Sequence, residues 1–455
     1  MADNTLSIEA DELDGLFAGL FADRGHRRCA LAVSGGSDSS ALMVLIAEWM
    51  AQGTEQAGRS LDACIVLTVD HRLRPESSAE VQAVARQASA LGLGHATLVW
   101  EGDKPMTGLQ AAARAARYRL MADYARAHDI GLILTAHTEE DQAETLLMRL
   151  ARGSGLDGLG AMAPRAPLQD GESLRIARPL LDVPKARLQA SLRRRGIGWI
   201  EDPSNASPVF ERVRLRAARA TLDGLGLTPG MLSLSARRLR QARAALDRWV
   251  ADVLDPAAGV VEVHACGFLG IDRSRLCPLP DEIVARVLTR AIAVAGGAGE
   301  PVPLAGVEAI LADLTCRQPG TQPAAWTLAR ARVAATPERL LIEREPGRDA
   351  LPVLLLAPGE AAIWDGRFRV AAGWAAGGID GPVEVRALGV DGLRELRTRI
   401  DVPARLPVAS LRAVPSFWRG DQLLAVPPLG LWAGADLGDL TATFLPLASP
   451  SSACR

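Results

Sequence analysis

The feature that most constrains the fold is a regular alternation of short apolar segments with amphipathic ones across residues 28–136. This pattern is typical of βαβ units in a mostly parallel sheet, with right-handed crossovers. It predicts strands at 28–33, 61–69, 95–100 and 130–135 and helices at 39–50, 77–91, 109–128 and 139–151. A further β–α–β-like unit is predicted from strand 176–181, helix 185–195 and a short strand at 199–200. The chain is therefore expected to contain an α/β domain.

The first predicted strand ends in a loop of small residues, Ser34-Gly35-Gly36-Ser37-Asp38-Ser39-Ser40, and a helix follows it. Backbone N–H groups of such a loop can surround an anion, and a helix N-terminus adds positive potential. The serine hydroxyls can donate to phosphate oxygens, and Asp38 is compatible with phosphate if Mg²⁺ lies between them. The loop lacks the Gly-Lys of a Walker A motif. Taken alone, an ordinary Ser/Asp helix cap explains it equally well.

Three further polar clusters accompany this loop. They are Val69-Asp70-His71 after the second strand, Arg114 with Arg117 on the third helix, and His137 through Thr145 after the fourth strand. Ligands of open α/β sheets bind at the carboxyl ends of the strands. Asp141 and Glu144 share a helix face. Each cluster also has a structural reading, because acids in a first helical turn complement the dipole and helix arginines are usually solvated.

Charge is unevenly distributed along the chain. The whole chain has a net charge of −2, but residues 185–250 contain 14 Lys and Arg against five acids. Such a segment is often a solvated helix face. It leaves open a local patch that binds nucleic acid, because Lys and Arg can supply phosphate contacts.

The positions of the cysteines argue against several kinds of metal and redox site, and the N-terminus argues against a secreted protein. None of the six Cys forms a C-x-x-C pair, which argues against zinc ribbons, iron–sulfur clusters and thioredoxin-type chemistry. Cys29 and Cys64 lie on predicted strands and are interpreted as core. The N-terminus has no signal-peptide pattern, and the apolar stretch 41–51 is too short to span a bilayer. We therefore predict a cytoplasmic protein without a membrane partner.

Together the clusters resemble the N-type ATP pyrophosphatase (PP-loop) superfamily and, within it, the tRNA(Ile)-lysidine synthetases. The Ser34–Ser40 loop alone specifies only the superfamily. The narrower resemblance rests on the other three clusters and on R-G-S-G-L at 152–156, R-P-L-L at 178–181, W-I-E-D-P-S-N at 199–205 and the Arg-rich motif at 210–216. It covers about residues 28–220.

The resemblance implies a Rossmann-like PP-loop ATP pyrophosphatase domain followed by regions that match the family only in layout. We expect a catalytic domain at 1–228, a mainly helical tRNA-binding domain at 229–345 and a small β-rich domain at 350–455. The sequence does not give the oligomeric state.

The resemblance also implies a reaction and its residues. ATP would adenylate the C2 oxygen of the wobble cytidine in the isoleucine tRNA with a CAU anticodon, and free L-lysine would then replace AMP. The implied residues fall into three groups: for ATP, Ser34, Gly35, Gly36, Ser37, Asp38, Ser39, Ser40 and Asp70; for Mg²⁺, Asp38 and Asp141; for catalysis, Asp38, Arg114, Arg117, His137, Asp141 and Glu144.

Two positions depart from the family pattern. Glu140 precedes Asp141 where the family usually has paired Asp, and its longer side chain changes any metal geometry there. Val213 stands where the family has an amide, which removes a hydrogen-bonding group.

Two alternatives stay open. One is another PP-loop tRNA-modifying enzyme, although a thiolase would need a catalytic Cys pair and an amidotransferase a glutaminase partner. The other is a non-catalytic RNA-binding module with an inactive nucleotide fold. The non-catalytic alternative is disfavoured because the polar residues of the predicted site are intact, namely Ser34, Asp38, His137 and Asp141.

Overall fold

The computed structural model describes residues 6–20, 28–53, 60–73, 76–102, 104–105, 107–168, 174–201, 211–297, 301–316, 324–345, 347, 350–373, 381–434, 437 and 439–445. The chain divides into two compact units, Met1–Arg243 and Ala244–Arg455.

A six-stranded sheet organises the first unit. Its strands are β1 Cys29–Ala32, β2 Cys64–Asp70, β3 Gly94–Val99, β4 Leu132–Leu134, β5 Arg165–Pro167 and β6 Arg175–Ala177. The order is β3-β2-β1-β4-β6-β5. All neighbouring strands pair in parallel except β5, which is antiparallel to β6. The predicted parallel α/β sheet is therefore confirmed.

Ten helices begin in the first unit among the described residues. They are α1 Leu13–Phe17, α2 Ser37–Ala51, α3 Ser77–Ala90, α4 Leu109–Ala127, α5 Glu139–Ala151, α6 Leu156–Leu159, α7 Lys185–Arg194, α8 Glu211–Ala217, α9 Arg219–Gly224 and α10 Pro229–Leu254. The helices predicted between residues 39 and 151 match α2 to α5 within two residues at each end.

Helices cover both faces of this sheet because its strands are apolar on both sides. Leu31 of β1 packs in a cluster with α2 and α7, whereas the neighbouring Ala30 packs with Met121 and Ala125 of α4. Cys29 and Cys64 are buried and paired in register across β1 and β2, so their interpretation as core is confirmed.

The strand predicted at residues 199–200 is wrong. Trp199 and Ile200 adopt no strand, and the backbone N–H of Ile200 donates to the carbonyl oxygen of Gly35 at 2.9 Å. Ile200 therefore packs against the Ser34–Ser40 loop instead of extending the sheet.

The second unit is built from antiparallel sheets and further helices. Its strands are β7 Val261–Val263, β8 Leu269–Asp272, β9 Ala324–Leu328, β10 Ala331–Ala335, β11 Arg339–Arg344, β12 Leu354–Leu356, β13 Ala361–Trp364, β14 Phe368–Ala372, β15 Val383–Ala387, β16 Pro415–Arg419, β17 Gln422–Val426, β18 Leu431–Trp432 and β19 Leu440–Phe444. They form sheets ordered β7-β8-β11-β10-β9, β12-β15-β16-β17-β18 and β13-β14-β19. The helices are α11 Arg273–Leu276, α12 Asp281–Gly296, α13 Leu304–Cys316, α14 Gly389–Arg399 and α15 Val408–Arg412.

These elements confirm helical and β-rich regions after the α/β domain. The first of the three sheets lies within residues 229–345, so that stretch contains strands β7 and β8 as well as the strands expected at 325–345. The domain boundaries at 228, 345 and 350 stay predictions. Among the described residues, no helix is both long enough and apolar enough to cross a membrane.

Candidate functional site

The Ser34–Ser40 loop, called the PP-loop below, joins β1 to α2 and holds its own shape. Gly35 has a φ of +86°, a left-handed conformation that favours glycine. The Ser34 N–H donates to Oγ of Ser39 at 3.2 Å, and the Ser39 hydroxyl donates to the Gly36 carbonyl oxygen at 3.1 Å. Ser40 is fully buried and donates to the Gly35 carbonyl oxygen at 3.2 Å. The loop is thus organised by its own serines before any ligand is considered.

Asp38 lies in the first turn of α2, and both of its carboxylate oxygens accept hydrogen bonds. Oδ1 accepts from the Ser37 hydroxyl at 2.9 Å, and Oδ2 accepts from the Lys185 ammonium at 3.0 Å. The Asp38 side chain is 25% exposed, so it stays accessible from the adjoining space. The Asp38 carboxylate of the PP-loop is thus accessible and already paired with the Lys185 ammonium.

Asp70, at the end of β2, is a buried carboxylate that organises the start of α3. It accepts hydrogen bonds from the Ser77 hydroxyl, from the Arg72 backbone N–H at 2.8 Å and from the Ser78 hydroxyl at 3.3 Å. Burial alone would raise the pKa of Asp70, but these hydrogen bonds outweigh it and hold the pKa below its ordinary value. The neighbouring His71 contacts the edge of Trp100, with ring centroids 5.7 Å apart.

His137 is held on the loop between β4 and α5. Its Nδ1 shares a hydrogen bond of 2.9 Å with the Thr135 hydroxyl. Burial lowers the pKa of His137 to about 4, and nearby arginines, Arg178 and Arg114 among them, favour the same direction although Asp141 opposes it. The imidazole is therefore neutral near pH 7.

Asp141 and Glu144 have different surroundings although both lie on α5. Asp141 forms a capping box: its Oδ2 accepts from the Thr138 N–H at 2.9 Å. Glu144 is 5% exposed and forms a two-pronged ion pair with Arg216, at 2.6 and 3.2 Å. Arg212 lies 3.9 Å from the same carboxylate. Asp141 thus fixes the helix start, and Glu144 brings α8 against α5.

Two cavities adjoin the PP-loop. The larger, of about 890 Å³, is lined by most of the predicted site residues, namely Ser34, Gly36, Ser37, Asp38, Ser39, Arg114, Arg117 and His137, and also by His71. The smaller, of about 520 Å³, is lined by acids Asp38, Glu140, Glu144 and Asp223, by Lys185, Arg216 and Arg219, and by several leucines. Asp38 and Lys185 line both cavities. Gly35, Ser40, Asp70 and Asp141 are not among the residues lining either cavity.

The chemistry of the site fits Mg²⁺ bound jointly with phosphate. Among the described residues, no group of three or more His, Cys, Asp and Glu side chains is arranged to hold a metal ion. Mg²⁺ is commonly held by one or two carboxylates together with substrate phosphates and water. Asp38, within the PP-loop, is the carboxylate that meets this description.

The chain matches the model of the PP-loop domain over residues 11–220. It is 46% identical over 345 residues to a tRNA(Ile)-lysidine synthase from Rhodopseudomonas palustris, a match covering 72% of this chain and 94% of the relative. It is 38% identical over 437 residues to a tRNA(Ile)-lysidine synthase from Ruegeria pomeroyi, covering 94% of this chain and 95% of the relative.

The chain belongs to the tRNA(Ile)-lysidine synthase family. The resemblance stated from the sequence motifs is therefore confirmed, as is an ATP-using domain of the PP-loop type. Membership of the tRNA(Ile)-lysidine synthase family does not test the individual site residues, whose roles stay predictions.

Sequence reasoning did not assign Lys185, Arg216 or Glu140 to the site, although Glu140 was identified as a departure from the family pattern and Arg216 belongs to the Arg-rich motif at 210–216. Lys185 begins α7, Arg216 pairs with Glu144, and Glu140 accepts the Lys185 backbone N–H at 2.9 Å through its Oε2. The available signal for Lys185 was its place four residues after the R-P-L-L motif, at the start of a predicted helix. The 45-residue separation of Glu140 from Lys185 gave no local signal.

Proposed function

We propose that this chain adenylates the C2 oxygen of the wobble cytidine in an isoleucine tRNA with a CAU anticodon and then attaches free L-lysine there. The observation that carries the proposal is the pair of cavities that share Asp38 and Lys185. The larger cavity has the hydrogen-bond donors and arginines that a nucleoside triphosphate needs. The smaller cavity has carboxylates and apolar walls that suit an amino acid with a cationic side chain. A two-step ligation requires such neighbouring sites.

The larger cavity is proposed to take ATP. Its volume of about 890 Å³ lies within the range of small-molecule sites. The PP-loop hydroxyls of Ser34, Ser37 and Ser39 would donate to phosphate oxygens. Arg114 and Arg117, on the same cavity wall, would stabilise the negative charge that develops at the α-phosphorus as the cytidine oxygen attacks and pyrophosphate leaves.

Mg²⁺ is proposed to be held by Asp38 together with phosphate oxygens. When bound, it would neutralise the charge of the leaving pyrophosphate. The predicted second ligand, Asp141, already accepts the Thr138 N–H. A metal contact by Asp141 would therefore use its other carboxylate oxygen.

The smaller cavity is proposed to take free lysine. Acids outnumber cations in its lining by one, which favours an ammonium group: Asp38, Glu140, Glu144 and Asp223 stand against Lys185, Arg216 and Arg219. Arg219, which pairs with Asp223 at 2.9 Å, would exchange that partner for the carboxylate of lysine. Leucines such as Leu147 line the same cavity and suit an alkyl chain. The attacking amine must first lose a proton.

A carboxylate beside this cavity is the proposed proton acceptor. His137 has a pKa of about 4, so near pH 7 it is a weak base and is better suited to hydrogen bonding with the cytidine. Both Glu144 and Asp141 have predicted catalytic roles, and we assign proton removal first to Glu144, which lines this cavity, whereas Asp141 does not. Attack at C2 then expels AMP and leaves lysine on the base.

The tRNA is proposed to contact the Arg-rich helices. Arg214 of α8 and Arg238 of α10 are exposed, and no ion pair to another described side chain occupies them. Others, including Arg216 and Arg243, already pair with Glu144 and Asp157. Phosphate contacts are therefore expected first from the exposed arginines. The tRNA, ATP and lysine meet in the cytoplasm, the compartment predicted from the sequence.

The test is AMP formation by the purified chain with ATP, Mg²⁺, lysine and tRNA transcripts. We expect AMP only when tRNA and lysine are both present, and none with a transcript carrying uridine at the wobble position. AMP formation that ignores lysine would favour another PP-loop tRNA-modifying enzyme. Absence of both AMP formation and ATP–pyrophosphate exchange, with tRNA binding intact, would favour the non-catalytic RNA-binding alternative.

A further inference from the structure

Lys185 occupies a position that no other described cation shares: it lines both cavities and donates to the PP-loop carboxylate. Its Nζ lies 3.0 Å from Oδ2 of Asp38. The contact joins residues 147 positions apart in the chain, so it depends on the packing of α7 against α2. The Lys185 side chain is 42% exposed, so the ammonium is accessible from solvent.

The backbone of Lys185 is fixed even though its side chain is accessible. Its N–H, at the first position of α7, donates to Oε2 of Glu140 at 2.9 Å. Pro184 precedes it with φ −62°, the value to which its ring restricts it. Leu188 and Leu192 of the same helix are fully buried. The base of the side chain is thus anchored, while its four-carbon stem lets the ammonium change partners without backbone movement.

The PP-loop itself lacks positive side chains. Among its seven residues the ionisable one is Asp38, which is negative. Backbone N–H groups and hydroxyls provide partial charges, but a pyrophosphate group carries several full negative charges. A cation from elsewhere in the fold would add full positive charge beside the phosphates, and Lys185 is already in contact with the loop.

We propose that Lys185 is a phosphate-binding residue that exchanges its contact with Asp38 for the pyrophosphate moiety of ATP. This deepens the proposed function and rests on it for the identity of the nucleotide. Release from Lys185 would also free Oδ2 of Asp38 for Mg²⁺. Glu140 is then a positioning residue, because it holds the first residue of α7 where the ammonium reaches the loop.

The competing assignment for Lys185 is the carboxylate of free lysine in the smaller cavity. That cavity already holds Arg216 and Arg219. The direct contact of Lys185 with Asp38 favours the phosphate assignment. The two assignments differ in which ligand binds more weakly when Lys185 is lost.

Direct binding of inorganic pyrophosphate and of L-lysine, measured by calorimetry on the full chain, separates these assignments. For Lys185→Ala we expect pyrophosphate affinity to fall about 10- to 100-fold, the range for losing a hydrogen bond between charged groups. Lys185→Arg should retain most of the affinity, and Lys104→Ala should match the unchanged chain. Unchanged pyrophosphate affinity in Lys185→Ala, or a loss confined to lysine binding, would overturn the proposal.

A second measurement needs no substitution. The chain contains two lysines, Lys104 and Lys185. Acylation by an amine-specific reagent, followed by peptide mass spectrometry, therefore reports on Lys185 with Lys104 as the internal control. Pyrophosphate should slow acylation of Lys185 and leave Lys104 unchanged; equal rates at Lys185 with and without saturating pyrophosphate contradict the proposal. Because neither assay requires lysidine formation, the proposed reaction and the role of Lys185 can fail independently.

Discussion

Replacing Asp38 by asparagine removes one negative charge from the PP-loop while keeping the shape of the side chain. Asparagine retains an oxygen that can accept from Ser37 or Lys185, so the loop should keep its conformation. The lost ion pair with Lys185 is partly exposed, and such pairs contribute roughly 0–1 kcal/mol to the free energy of unfolding. In a unit of this size, 1 kcal/mol corresponds to a shift in Tm of about 2–4 °C.

The effect on catalysis should be much larger than the effect on stability. Loss of a metal-ligating carboxylate at a charged transition state removes several kcal/mol of stabilisation. A loss of about 3–4 kcal/mol slows adenylation roughly 10²- to 10³-fold. The assay is tRNA-dependent ATP–pyrophosphate exchange at saturating Mg²⁺, with tRNA affinity and Tm measured on the same samples.

Asp123→Asn is the matched control for this substitution. Asp123 pairs with Arg126 at 2.8 Å on α4, and it is not among the residues lining either cavity. We expect wild-type exchange for Asp123→Asn and nearly wild-type tRNA affinity for both variants. Near-normal exchange by Asp38→Asn would refute the assignment of Asp38 to Mg²⁺ and pyrophosphate.

Three further predictions follow from the same geometry. Asp141→Asn should slow AMP formation more than Glu140→Gln, because it removes the charge of a proposed Mg²⁺ ligand, whereas the glutamine oxygen can still accept the N–H that Glu140 accepts; the reverse order in kcat would contradict the site assignment. Burial, reinforced by like charges, raises the pKa of Glu139 to about 7, so its stabilising contribution is present below about pH 4.5 and is lost as the pH rises through 7. Glu139→Gln should therefore have a higher Tm than the unchanged chain at pH 8 but not at pH 4.5. Parallel curves of Tm against pH for the two chains would exclude ionisation of Glu139 as a cause of lost stability. A chain ending at Gly226 keeps the PP-loop but loses Leu232, which packs on α5, so we expect a lower Tm. If circular dichroism shows that this chain folds, it should bind tRNA more weakly and with a shallower salt dependence. Unchanged tRNA affinity and salt dependence would show that the missing residues do not hold the RNA.

The parallel sheet and its helices could be predicted because each element has its own periodicity. The helix predicted at 139–151 has those bounds in the structure, since Thr138 caps it and its apolar side faces neighbouring helices. The strand predicted at 199–200 failed because an apolar pair alone does not distinguish a strand from a segment packed on a loop. Strands β7 and β8 are three and four residues long, too short for a periodicity to show.

The candidate site was predictable where the residues that form it are consecutive. The PP-loop is one run of seven residues, and the geometry of its serines follows from the left-handed Gly35 and the start of α2. Contacts between distant segments were not predictable. Nothing in the sequence indicates that Glu144 pairs with Arg216 or that Lys185 pairs with Asp38, because the helices carrying them meet only through packing.

The central claim is that this chain joins lysine to the wobble cytidine of a tRNA. The most direct measurement incubates the purified chain with ATP, Mg²⁺, isotopically labelled L-lysine and a CAU-anticodon isoleucine tRNA transcript, digests the RNA to nucleosides and analyses them by mass spectrometry. The account predicts a cytidine whose mass has increased by that of lysine less one water and that carries the isotope label. It also predicts that the Asp38→Asn chain forms this product roughly 10²- to 10³-fold more slowly. Unmodified cytidine at the wobble position, from a folded chain that binds both the tRNA and ATP, would contradict the account.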